Sequence, residues 1–305
     1  MNNEDRSTTI KLFCDNNHIN IKTLPSNLKT VISEAYAPYL LFTECLVSDT
    51  FFNRSDPFDG FFINMAQRVT NTMSSMVVLI STGHLQDAEI IARTVTESSL
   101  AIQHLLKGDI PENIAHYLAS FYKGQKWKND KWFTAANNKE TNYHSNLIQE
   151  KNKIEREAED ICKIFIEAAG HLWPQTPRSF SIEQMFEGLG KSVEYRTVYR
   201  AMCGQTHQNQ EDLINSLIYS LTENTDIEKQ FKNEKHGFSI FICLWGVRYY
   251  LDALQSLGNH FNFHSVIKQS KLSLETILNQ HTETLQQLKK CNYPNEWTHS
   301  IVDGI

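Results

Sequence analysis

Apolar residues in this chain return at spacings of three and four far more often than at two, which marks helices rather than strands. Phe61, Phe62, Met65, Val69, Met73, Met76, Val77 and Ile80 form the first clear stripe, as expected of an amphipathic helix. Ser81-Thr82-Gly83 follows as a turn. A second helix is predicted from about His84 to Lys107, with Leu85, Ala88, Ala92, Val95, Ile102 and Leu105 on one side. Gly108-Asp109-Ile110-Pro111 ends it. Pro111 suits the first turn of the next helix, where a backbone N–H has no intrahelical partner in any case. That third helix carries Ile114, Tyr117, Leu118 and Phe121, then gives way to a polar, basic stretch from Lys123 to Trp132 that continues to about Thr141.

A long charged helix is predicted from about Asn146 to Ala169. Its buried edge is expected at Ile154, Ala158, Ile161, Phe165 and Ala168, and its solvent face is rich in Glu and Lys. His171 to Pro177 is a loop, and Ser181 with Gln184 has the spacing of a capping box. Two further helices, Val193 to Met202 and Asp212 to Leu221, flank Gly204 and His207. Phe238 to Leu257 is apolar on nearly every face and is expected to be the central buried helix. A last amphipathic helix covers about Val266 to Leu288. No alternating run is long enough for a strand. The chain is thus predicted to be an all-α bundle: a polar, loosely ordered N-terminal segment 1–24, one helical domain 25–290, and a C-terminal tail 291–305.

Composition narrows the function classes. The 41% apolar and 21% charged content is that of a soluble globular protein. A net charge of -6 and a pI near 6.1 exclude a protein that coats nucleic acid through bulk charge, but not one that grips RNA through a local patch. Met1 to Arg6 has no signal-peptide core behind it, and the apolar stretch Phe238 to Val247 is too short to span a bilayer. Six scattered cysteines without a C-x-x-C pair fit reduced thiols. These features predict a cytoplasmic protein with no membrane partner.

The candidate chemistry starts with Arg200 and His207. On one helix an offset of seven residues places two side chains on the same face, roughly 10 Å apart along the axis. A permanent cation beside an imidazole is the minimum equipment for RNA cleavage without a metal. Glu89, Arg93 and Glu97 are stacked at i, i+4 intervals on a helix that is apolar over most of its surface. They are either a solvent-facing ladder of ion pairs or the lining of an internal polar groove. Arg248 interrupts an apolar run, either as counter-ion to Glu97 or a phosphate contact, or packed on Tyr or Trp245.

Other patterns lead elsewhere. Gly188-Leu189-Gly190-Lys191-Ser192 ends like a P-loop, but Met185 stands where that motif needs glycine and no strand precedes it. A helix C-cap followed by a new helix is expected instead. His260 and His264 lack the carboxylate of a metalloprotease motif. Glu296 and His299 are the chain's single Glu-x-x-His, where a bundle di-iron site needs two. No metal or cofactor is therefore expected. Lys123, Lys126, Lys128 and Lys131 alternate with Trp127 and Trp132, the pairing of cations and stacking rings used for single-stranded RNA. With Asp130 and Glu140 close by, a solvated loop with its tryptophans packed back on the bundle is the simpler expectation.

Taken in order, Ala92-Arg93-Thr94-Val95-Thr96-Glu97 and then Tyr199-Arg200 with Gly204-Gln205-Thr206-His207 form a pattern. It resembles an uncharacterised family of bacterial helical domains in which an Arg-x-x-x-Glu helix precedes a Tyr…Gly…His segment. The Arg-x6-His spacing is also similar to that of the HEPN superfamily. The resemblance covers roughly Phe61 to Leu257. It implies an HEPN-like multi-helix bundle with additional peripheral helices, which forms homo-oligomers. It further implies a metal-independent endoribonuclease of a defence or toxin–antitoxin system, with RNA and a protein of that system as partners. Arg200 and His207 would be its hallmark pair, and Arg93 and Glu97 the polar pair on the facing helix. Ala201 departs from the pattern, since active members often carry a polar residue after the arginine. Gly204 is a second departure, expected to end the helix. The alternative from the same residues is a non-catalytic interaction or regulatory module in which all four are structural.

Overall fold

The computed structural model describes residues 3–48, 56–137, 142–205, 217 and 225–290. Every element with an assigned range is helical, and among the described residues there is no strand. In chain order the helices are α1 (Asn3–Asn16), α2 (Ser26–Leu46), α3 (Asp59–Ser81), α4 (Leu85–Leu105), α5 (Ile110–Asn137), α6 (Asn142–Ala168) and α7 (Ile182–Gly188). They continue with α8 (Ser192–Glu194), a π-helical turn (Tyr195–Tyr199), α9 (Arg200–Gln205), α10 (Thr225–Phe261) and α11 (His264–Lys290). The chain divides into two compact units, one of Met1–Gln103 with Phe186–Ile305, the other of His104–Met185.

In the first unit α10 is the central element, as its all-round apolar sequence predicts. Tyr249, Tyr250, Leu251, Leu254 and Leu257 are all buried. It packs against α2, α3 and α11. Gly246 sets its approach to α4, because a Cβ there would lie 3.3 Å from the Ala92 carbonyl oxygen. Asn262 turns the chain between α10 and α11 with φ +60°, and the Phe263 N–H closes onto the Gly258 carbonyl at 2.8 Å, the long bond of a Schellman cap. Thr70 of α3 and Tyr250 of α10 share a buried hydroxyl contact of 3.0 Å.

The N-terminal segment differs from expectation. Polarity marks it as loosely ordered, yet α1 buries Phe13 and Cys14 and pairs with α2. Arg6 meets the buried carboxylate of Glu34 at 2.8 Å, and Ser273 of α11 donates to the same group at 2.8 Å. A helix with few apolar residues is held here by Phe13, Cys14 and an ion pair, which a mean over the segment conceals.

The second unit is built on the antiparallel pair α5 and α6. Here the basic stretch from Lys123 to Trp132 is helical throughout, so α5 is one uninterrupted helix. Lys, Gln and Trp are compatible with helix, and the polar run contains no proline to stop it. Asn129, buried in the seam, donates to Asn152 at 2.7 Å and to Glu155 at 2.6 Å. The return loop brings Phe180 edge-on to His104 and Tyr117, and Arg178 pairs with Glu112. Ser181 and Gln184 make the predicted reciprocal capping box, each accepting the other's N–H at 3.2 Å.

Candidate functional site

The polar centre lies in the first unit, on α4 and the π-turn. One side of α4 is lost in the core through Ala92, Val95, Thr96 and Ser99, which leaves Arg93 and Glu97 at its edge. Their side chains are 26% and 32% exposed. Arg93 Nε–H donates to Glu97 Oε1 at 2.7 Å, and the Tyr199 hydroxyl donates to the same oxygen at 2.6 Å. Tyr199 comes from a segment a hundred residues later, and its ring centre is 5.5 Å from the Arg93 guanidinium carbon.

The π-turn explains how that tyrosine arrives. Single π-turns inside helices are uncommon and recur at functional sites. This one stacks Tyr195 on Tyr199 at 5.5 Å and 18°. Phe186 packs against both and turns its edge to Tyr249 of α10. Val198, Ala201 and Met202 then pin the segment down as buried residues, with the Thr96 hydroxyl 3.7 Å from the Met202 sulfur. Ala201 is small and apolar because it faces the core.

Arg200 points the other way and is exposed. Its guanidinium carbon is 5.8 Å from the centre of the Tyr195 ring, and among the described residues it has no carboxylate partner. Arg93 and Arg200 therefore flank one stack of two tyrosines. The structure thus brings Arg93, Glu97 and Arg200 into one neighbourhood. α9 continues through Gly204 to Gln205, so Gly204 does not end the helix. His207 lies outside the described residues, as does the predicted helix from Asp212 to Leu221 apart from Leu217.

Electrostatics stiffen the centre. Burial, then the hydrogen bond to Glu97 and the charge of that carboxylate, push the Tyr199 hydroxyl well above the ordinary phenol range. Burial alone would lower the Arg93 pKa. The Glu97 hydrogen bond and the neighbouring negative charge outweigh it and raise it. At neutral pH the Arg93 guanidinium is therefore a cation and the Tyr199 phenol keeps its proton.

The other candidates resolve separately. Glu89 is buried and accepts a hydrogen bond from Ser239 of α10. Arg248 packs on Trp245 at 4.4 Å, the second of its two expected roles. Lys191 is held by Asp252 at 2.6 Å and by Gln103 at 3.5 Å. Its backbone N–H closes onto the Phe186 carbonyl at 2.8 Å after Gly190 at φ +74°, so the P-loop-like run is the expected helix C-cap. His260 meets Asp59 at 3.2 Å, and Asp56 brings a carboxylate oxygen within 4.8 Å of both. That oxygen side also accepts the Phe58 N–H at 2.8 Å, so the group ties the start of α3 to α10. His264 opens α11 apart from it, and Glu296 and His299 lie outside the described residues.

The lysine–tryptophan tract corrects an expectation. One of its tryptophans does not pack back: Trp127 is 58% exposed, with Lys131 Nζ 3.8 Å from its ring centre, whereas Trp132 is 37% exposed and lies under Lys151 of α6. A groove of about 510 Å³ between α5 and α6 is lined by Lys126, Arg156 and Lys163 together with Asp130, Glu159 and Asp160. Its charges are mixed, without the cationic excess that a phosphate backbone requires.

Tyr195, Phe186 and the Lys191–Asp252 pair escape a reading of the sequence alone. The one local signal was the i, i+4 spacing of Tyr195 and Tyr199. No helix of the described residues is long and apolar enough to cross a membrane. No curated protein and no solved structure matches the chain. A family model matches residues 59–227, more than half of the chain and a range that includes Arg93, Glu97, Tyr199, Arg200 and His207. The chain belongs to the family of unknown function DUF5677.

Proposed function

We propose that this chain is a metal-independent, HEPN-like endoribonuclease, with Arg200 as its phosphate contact. One observation carries this reading. Arg200 is an exposed cation on an aromatic face, without a carboxylate among the described residues, beside a polar centre built from a distant helix. A phosphate is the natural counter-ion for such a group, and charge growing on a phosphorane would be stabilised there. His207 would be the general base on the ribose 2′-hydroxyl. Arg93, Glu97 and Tyr199 position the segment that carries Arg200. Cleavage by this route leaves 2′,3′-cyclic phosphate ends and needs no metal, so EDTA should not inhibit.

The experiment is cleavage of mixed RNAs by the purified chain in EDTA, with Arg200→Ala and His207→Ala alongside. Both variants should lose cleavage, and Arg200→Ala should keep its melting temperature because the side chain is exposed. Intact RNA with the wild-type chain, or cleavage by His207→Ala at the wild-type rate, refutes the reading. A second reading, a non-catalytic helical module, is favoured by the double engagement of Glu97 Oε1. It predicts that Glu97 variants change stability and nothing else.

A further inference from the structure

We propose that the exposed apolar face of the α5–α6 hairpin is a self-association surface, covered by the same face of a second copy of this chain. The inference is independent of the RNA reading. Sequence and structure disagree on the edge that α6 buries. Periodicity assigns Ile154, Ala158, Ile161, Phe165 and Ala168 to the buried edge of α6, yet Ile154 and Ile161 are 64% and 67% exposed. The edge that α6 does bury against its own unit is a different one, through Ile148 and Ile166.

Leu147, Ile154, Ile161 and Ala168 are spaced by seven, and Lys151, Ala158 and Phe165 interleave with them at four and three. That is an a/d seam over three heptads, apolar at every position but Lys151, the pattern that meshes with another helix of the same repeat. α5 widens it. Lys151 Nζ lies 5.9 Å from the Trp132 ring centre, so Trp132 borders the seam. Phe121 is three turns earlier on the same face of α5, and both rings are exposed.

Size and charge select the occupant. From Leu147 to Ala168 the seam is about 32 Å long, and two adjacent helices make it about 20 Å wide. The footprint of about 600 Å² approaches the roughly 800 Å² that each partner contributes to a stable dimer. An isolated domain seldom leaves an apolar helix seam of this length, bordered by two exposed aromatic rings, to water. The seam holds one charge, Lys151, already 3.6 Å from Glu155. Around it the face carries charges of both signs, Glu150 and Glu157 along one edge of α6 and Lys128 between Phe121 and Trp132 on α5, and no row of cations for nucleic acid. A two-fold axis pairs identical patches, and a face whose two lysines and two glutamates balance tolerates that. The charged groove occupies the other side of the hairpin, lined by Lys126, Arg156 and Lys163, and stays open in such a dimer.

The test is sedimentation and light scattering of the full chain over a wide concentration range, with Ile154→Glu/Ile161→Glu for comparison. Wild type should dimerise, and the double variant should have its dissociation constant raised by at least about a hundredfold at unchanged helicity. A wild-type chain that stays monomeric, or a double variant that associates equally well, overturns the proposal. If the variant fails to fold, hydrogen exchange of wild type decides. Exchange in α5 and α6 should slow as concentration rises; slowing confined to other helices refutes it.

Discussion

Glu97→Ala removes the acceptor on which two donors converge. The Arg93 Nε–H at 2.7 Å and the Tyr199 hydroxyl at 2.6 Å both end on Glu97 Oε1. Hydrogen bonds to a charged group contribute about 1.5–3 kcal/mol each. With the arginine and glutamate about a quarter to a third exposed, water replaces part of what is lost. A net cost of about 2 kcal/mol follows, equivalent to roughly 4–8 °C in melting temperature for a unit of this size. Glu97→Gln keeps an acceptor oxygen and should cost less than half as much. The assay is thermal and urea unfolding of wild type, Glu97→Ala, Tyr199→Phe and the double variant, followed by circular dichroism. Because Tyr199→Phe and Glu97→Ala remove the same bond, their effects should fall short of additivity by about 1 kcal/mol. Strict additivity, or a Glu97→Ala loss below about 0.5 kcal/mol, would show that this carboxylate does not hold the π-turn onto α4.

Two other perturbations probe the rest of the molecule. His281 is buried and stacked on Phe241 at 4.4 Å; burial, and then the charge of Arg248, lower its pKa to about 4. The folded state therefore keeps it neutral while the unfolded chain binds a proton below about 6.5, so stability should fall as pH drops from about 6.5 to 4, by about 3 kcal/mol in total. His281→Gln should flatten that slope in urea titrations across the window, and an unchanged slope would locate the acid sensitivity elsewhere. Asn129→Ala should destabilise the α5–α6 pair by about 1–3 kcal/mol, since it removes the buried donor shared by Asn152 and Glu155. Faster hydrogen exchange confined to these two helices is the expected signature.

Helix content was legible from periodicity because the helices of the first unit bury the faces that their spacing selects, as α3 does with Phe62, Val69, Met73 and Met76. The turns were legible too, because Gly83 and Gly108 adopt the positive φ that other residues resist. The basic run of α5 was not, because a polar helix and a polar loop have the same composition and differ only in whether a neighbour such as Asn152 holds them. Of the candidate site, Arg93 and Glu97 were marked by charge on an apolar helix. Tyr199 and Arg200 were marked by their place in a motif.

The sequence by itself determined an all-helical chain and the residues that could do chemistry. Only the tertiary structure decided how they are divided: Tyr199 turns inward to Glu97 while Arg200 remains exposed, although the two are adjacent in the chain. The reason is geometric. One residue's rotation about a helix axis is about 100°, so whether a side chain meets the core or the solvent depends on how the π-turn and the Val198, Ala201 and Met202 contacts set the roll of that segment on α4. The same holds for α6, where packing on α5 buried one apolar edge and left the heptad seam exposed.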